Sequence, residues 1–146
     1  MSKINMYKIT NTIAAGETTG TTFSVPIRGR ILTIKTKYTN TTPGSSSDRD
    51  VNIWEMDTAD EDDTTDAHQE ILDIGTLGAV PTDDNAIYYP RTKVQDYQGV
   101  DVDLSDSEGG NTAKYEPFLV FGRVMLQVTA AAEADITTVY LMVEEF

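Results

Sequence analysis

Apolar and polar residues alternate along much of this chain with a period of two, the signature of strands that bury one face and wet the other. From Ile4 to Ile13 the alternation puts Tyr7, Ile9 and Ile13 on one side, and Gly16-Glu-Thr-Thr-Gly20 then supplies a turn. Thr21 to Ile27 reads as a second strand with Phe23, Val25 and Ile27 on one face, limited by Pro26 to an edge or a bulge. Arg30 to Tyr38 is the clearest segment of the first half, with Leu32, Ile34 and Tyr38 facing one way and Thr33, Lys35 and Lys37 the other. A Thr/Ser/Gly/Pro loop occupies 40–47, and Val51 to Met56 follows as a strand carrying the single Trp. Glu70 to Ile74 returns as a short strand after an acidic loop at 57–66. In the irregular middle, Ala86 to Pro90 is a short strand stopped by proline, and Lys93 to Leu104 alternates through Val100, Val102 and Leu104. Phe118 to Thr129 and Ile136 to Phe146 read as a final strand pair joined by Ala130 to Asp135.

These segments predict an all-β domain of eight or nine antiparallel strands, a sandwich or a barrel. Threonine, at 21 of 146 residues, fits that composition. No segment holds an amphipathic helical period over three turns, and only Ala130 to Ala134 is expected to form a turn of helix. Nothing resembling a linker or a tandem repeat divides the chain, so residues 1–146 are expected to form one domain, with residues 1–5 a candidate N-terminal arm.

Charge adds a second pattern. The 24 Asp and Glu outweigh the 11 Lys and Arg, for a net charge of −13, yet residues 1–47 carry +5 while residues 48–116 carry −15 and 117–146 carry −3. An acidic balance argues against general nucleic-acid binding, which needs cations to neutralise phosphates. Apolar runs such as Phe118 to Phe121 are far too short to cross a bilayer. The N-terminus lacks the apolar core of a secretory signal, so the expectation is a soluble protein not exported by that route. With no cysteine, disulfides and thiolate chemistry drop out.

Candidate chemistry is sparse. His68, the single imidazole, sits beside the acidic loop with no Gly-x-Ser-x-Gly nucleophile motif anywhere, so it reads as a solvated residue. Carboxylates are abundant but fall in loops or on wet strand faces, which gives no defined acid/base dyad. No catalytic residues, cofactor or enzymatic activity are expected. Asp57, Asp60, Asp62, Asp63 and Asp66 offer hard oxygens that suit a structural divalent cation, without the register of an EF-hand. A second cluster runs from Asp101 to Glu108. Trp54 and the tyrosines 88, 89 and 97 are of the type that meets protein or sugar surfaces, although ring packing at one end of a sandwich is the preferred explanation of the tyrosines.

Three segments carry a resemblance: 29–38 followed by Val51-Asn-Ile-Trp54, Ile87-Tyr-Tyr-Pro-Arg91, and 118–128 with 136–145. Together they resemble small β-sandwich structural proteins of tailed-virus particles. The resemblance implies a jelly-roll-like fold without enzymatic activity, made in the host cytoplasm and carried on the virion. The function it implies is that of a capsid decoration or cement protein, which binds the major capsid protein on the outside of an icosahedral head and associates with itself, as a trimer by preference. A neck, tail or receptor-contacting spike protein of the same particle is the alternative, and a carbohydrate-binding β-sandwich is another. The acidic surface is also similar to that of halophilic proteins, but the basic first third departs from it. Lys3, Lys8, Arg28, Arg30, Lys35 and Lys37 are therefore the candidate partner-binding residues, on a docking or subunit face built from residues 1–13 and the 28–37 strand. Neither nucleic acid nor membrane is expected as a partner.

Overall fold

A computed structural model describes residues 2–39, 49–56, 67–76, 85–95, 98–100, 103–105, 111–113 and 115–146. The period-two segments become strands, and no helix occurs among the described residues. In chain order they are β1 (Lys3–Thr12), β2 (Gly20–Phe23), β3 (Ile27–Thr39), β4 (Asp50–Met56), β5 (Ala67–Thr76), β6 (Asn85–Tyr88), β7 (Arg91–Lys93), β8 (Asp103–Ser105), β9 (Asn111–Ala113), β10 (Tyr115–Pro117), β11 (Leu119–Gly122), β12 (Val124–Thr129) and β13 (Ile136–Glu145).

Nine of these strands make an antiparallel β-sandwich. One sheet runs β1-β13-β3, with β11 on the first half of β3's outer edge and β6 on the second; the other runs β2-β12-β4-β5. Two short ribbons, β7 with β10 and β8 with β9, accompany them. Between the sheets lie Ile9, Ile31, Ile34, Val139, Leu141 and Val143 from the first and Val51, Ile53, Ile71, Val124, Leu126 and Val128 from the second, all buried. Burying each such side chain contributes about 1.5–3 kcal/mol, which is what the alternation in the sequence encodes.

Several expectations are corrected. The last two long segments are not a hairpin: β12 pairs with β2 and β4, whereas β13 pairs with β1 and β3. The connection crosses from one sheet to the other with Ala130 and Ala134 in left-handed conformation, a turn rather than a helical one. The 118–129 segment is split at Gly122-Arg123, where the chain leaves the first sheet for the second; Gly122 has φ 153°, open to a residue without a Cβ. Thr21 to Ile27 is also two pieces: β2 ends at Phe23, Val25 is exposed, and Ser24 exchanges bonds with Val124, accepting from its N–H at 2.9 Å through Oγ. Lys93 to Leu104 is not one strand, because Gln98 to Val100 form an irregular exposed turn between β7 and β8. Of residues 1–5, the candidate arm, residues 3–5 pair within β1 opposite 143–145.

A buried ion pair closes one end of the sandwich. Arg49, just before β4, is 0% exposed and lies 3.2 Å from Asp135, itself 2% exposed, in the β12–β13 turn. Its guanidinium also donates to the Ile136 carbonyl at 3.0 Å and to Thr137 Oγ1 at 3.1 Å, and stacks over the Tyr38 ring. Asp135 in turn accepts from the Ala132 N–H at 3.0 Å, so one carboxylate fixes both the turn and the cation. Burial lowers the Arg49 pKa against the pull of Asp135, and pushes the Tyr38 hydroxyl up to about 12.

Candidate docking face on the outer side of the first sheet

Strand parity decides what the first sheet shows to solvent. On β1 the outward residues are Ile4, Met6 and Lys8; on β13 they are Tyr140, Met142 and Glu144. On β3 the situation is unusual, because Arg28 and Arg30 fall on even positions and Lys35 and Lys37 on odd ones, which a regular strand would send to opposite faces. A bulge resolves this. Val143 opposes Ile31 and Met142 opposes Thr33, leaving Leu32 as the extra residue, so all four cations emerge on the same side. Arg91 donates to the Leu32 carbonyl at 3.3 Å and to the Pro90 carbonyl at 2.7 Å, which occupies the irregular point of the ladder.

The cross-strand register then assembles rows across this face. Lys8, Tyr140, Lys35 and Ile87 form one; Ile4, Glu144, Arg30 and Leu119 form another, and Met6, Met142 and Thr33 lie between them. Arg28 sits opposite Phe121. Six large apolar side chains here are strongly exposed: Ile4 60%, Met6 56%, Ile87 53%, Leu119 44%, Phe121 51% and Phe146 63%. Cations cover the rings among them. Arg28 stands 5.6 Å from the Phe121 centroid, Arg30 5.5 Å from that of Phe146, and Lys8 5.9 Å from that of Tyr140. The two Phe rings are 6.3 Å apart, so arginines and rings form one continuous cluster.

The six predicted cations are thereby sorted. Lys8, Arg28, Arg30, Lys35 and Lys37 share this face, while Lys3 points to the other side of β1 with Asn5 and Tyr7, both of which donate to the Glu145 carboxylate. None of the six forms an ion pair among the described residues. Among the outward residues of β1, β3 and β13, Glu144 is the one acid against these five cations, and the Glu55 carboxylate reaches the edge of the face, accepting from the Phe121 N–H at 3.3 Å. Two depressions lie on it, one of ≈ 300 Å³ lined by Pro26, Ile27, Arg28, Phe121 and Gly122, the other of ≈ 260 Å³ between Lys35, Lys37, Ile87 and Tyr140.

The opposite outer face differs in kind. Asn52 and Trp54 of β4 stand against Asp73 and Glu70 of β5, with Asn52 donating to Glu70 at 2.9 Å, and no described side chain in β2, β4, β5 or β12 is a Lys or Arg. Trp54, a candidate stacking residue, is half-buried there opposite Met125. Tyr88 packs against the core and Tyr89 is exposed. The backbone of His68 runs in β5. Asp57, Asp60, Asp62, Asp63, Asp66 and Tyr97 lie outside the described residues, as do most positions of the 101–108 cluster.

The apolar half of the face escaped the sequence reading, although its signal is present. Val139 to Val143 is apolar at every position, the mark of a strand covered on both sides. Inside, Val139, Leu141 and Val143 meet the core; outside, Tyr140 and Met142 are only half-covered. No protein-family model matches the chain, and no curated protein sequence matches it.

Proposed function

We propose that this chain is a non-enzymatic structural protein of a virion, a capsid decoration protein that binds the exterior of an icosahedral head as a symmetric oligomer. The observation that carries this reading is the outer face of the first sheet: exposed apolar residues framed by cations that form no ion pair among the described residues, on a strongly acidic chain. A contiguous patch of that kind marks a protein contact rather than a solvated surface.

The strand order supports a jelly roll. Setting β11 and the short ribbons aside, the sheets read β1-β13-β3-β6 and β2-β12-β4-β5, so the chain crosses between sheets at every step except the β4–β5 pair and returns beside its own start, as two interleaved Greek keys do. Jelly rolls serve capsids and lectins alike, and this step from fold to role is one of analogy. Symmetry makes modest contacts sufficient, since several copies binding one lattice multiply a weak affinity into a strong one. Quantifying the chain against the major capsid protein in purified particles tests the reading. Hundreds of copies per particle are expected; a handful moves the chain to the neck, tail or spike, and absence from the particle overturns the virion role.

A further inference from the structure

A sheet edge carries a row of backbone N–H and C=O groups that pair with any strand laid beside it, and folded chains shorten, kink or charge such edges to keep them apart. Most edges of this sandwich are blunted in that way. β2, β6 and β11 are four residues long each, and the ladder of β5 with β4 shifts register at three places. β1 differs. Its ten residues contain neither Pro nor Gly and pair with β13 in unbroken register, and no described strand pairs with its other side.

Backbone parity identifies the open groups. The Ile13 N–H donates to the Asp135 carbonyl at 3.0 Å, one step beyond the Thr12–Ile136 pair, so the odd residues of β1 bond toward β13. Even residues therefore direct their N–H and C=O groups to the free edge. The C-terminal half of that edge is flanked by β2, since Asn11 Nδ2 donates to Thr22 Oγ1 at 3.0 Å, which leaves residues 2–8. Ile4 and Met6 are strongly exposed there. Lys8, of the type that usually guards an edge, leans the other way, with its ammonium 5.9 Å from the Tyr140 ring on β13.

We propose that residues 2–8 pair antiparallel with the same residues of a second copy across a two-fold axis at Asn5, so that two first sheets join into one. This stands on the sheet edge and goes beyond the docking reading. The register follows from parity and charge. With the axis at Asn5, Ile4 meets the partner's Met6 and Ser2 meets the partner's Lys8; each pair occurs twice by symmetry and exchanges two backbone hydrogen bonds. Lys3 then faces the partner's Tyr7, so no cation opposes a cation. An axis one half-step further along would set Lys3 against Lys8 and outward backbone groups against inward ones. An axis at Met6 would set Lys8 on Ile4 and break the apolar match.

A two-fold contact uses the same surface on both copies and closes at two, leaving no edge to propagate. The axis runs normal to the joined sheet, so both basic outer faces lie on the same side of the dimer. Two such faces on one body reinforce each other's contacts with a repeating surface. Seven residues at about 3.4 Å give a seam of roughly 24 Å, at the small end of specific interfaces.

Sedimentation velocity of the full chain from about 10 to 500 µM at physiological salt, without particles present, is the test, a range suited to a contact of small size. A dimer of 16.1 kDa chains is expected, its share rising with concentration. I4K/M6K sets cations against cations at the central pairs and should raise the dissociation constant at least about tenfold; I4K/M6E sets opposite charges there and should stay within about threefold of wild type. Met6→Pro removes one outward N–H without taking a bond from β13 and should also cost at least about tenfold. Circular dichroism verifies folding of each variant. The chain has no cysteine, and facing residues of a non-hydrogen-bonded pair lie about 4.5 Å apart at Cα, within reach of a disulfide. Mild oxidation should therefore link N5C into dimers and leave K3C, which faces Tyr7, unlinked. A wild type that stays monomeric or forms trimers, a folded I4K/M6K or Met6→Pro that dimerises like wild type, a folded I4K/M6E as weak as I4K/M6K, or an N5C that stays unlinked overturns the proposal. Particle binding is scored separately: a dimer that ignores particles refutes the decoration role alone, and a monomer that binds them refutes the dimer alone.

Discussion

Replacing Asp135 by Asn removes one charge from the closed end of the sandwich while leaving a side-chain oxygen to accept from the Ala132 N–H. Arg49 would then stay buried at 0% exposure, with the Ile136 carbonyl and Thr137 hydroxyl as partners but no counter-charge at 3.2 Å. At an effective dielectric near 20, two unit charges at that distance attract by about 5 kcal/mol, and removing one member of a buried pair costs about 3–5 kcal/mol in practice. Against a typical total stability of about 5–15 kcal/mol, this is a large share. With a urea dependence of about 2 kcal/mol/M, the unfolding midpoint should fall by about 2 M. Arg49→Met in the Asp135→Asn background should recover at least about half of the loss, because the expense lies in the isolated cation rather than in the missing bond. A loss below about 1 kcal/mol for Asp135→Asn, or a double variant less stable than the single, would refute this reasoning.

Other elements make their own predictions. Gly29→Ala would place its Cβ against the Glu144 carbonyl and 2.7 Å from Val143 Cγ1, so thermal unfolding should show a loss of about 1–3 kcal/mol. Tyr38, with its pKa raised from 10 to about 12, favours the folded state fully below pH 10; stability should fall by about 2–3 kcal/mol between pH 10 and 12, a slope that Tyr38→Phe abolishes in alkaline denaturation. Phe121→Ser/Phe146→Ser should leave stability within about 0.5 kcal/mol per site while weakening association, since both rings are outside the core. Equal loss of stability and association would mean that those rings hold the fold instead.

The sequence was informative where burial was one-sided. Ile9, Ile34, Val120 and Val139 lie inward as their alternation indicates, because one misplaced residue would expose every apolar partner along the strand. Long-range order was not legible: the crossing at Ala130–Asp135 and the break at Gly122-Arg123 look like hairpin and straight strand until sheet partners are known. The cations on β3 show the limit most clearly. Their charge marked them as a group, but alternation alone sends Arg28 and Arg30 away from Lys35 and Lys37, and only the bulge at Leu32 unites them. Nor did alternation expose the apolar half of the face, because Ile4, Met6, Phe121 and Phe146 come from strands far apart in the chain.

The central claim is that the outer face of the first sheet works by being covered with protein in a virion. A symmetry-resolved map of native particles by electron cryomicroscopy tests it most directly. The account predicts density for this sandwich in many symmetry-related copies on the head exterior, with Arg28, Lys35, Phe121 and Phe146 buried against a neighbouring subunit. Copies whose first sheet faces open solvent, or a head surface without the sandwich, would contradict it.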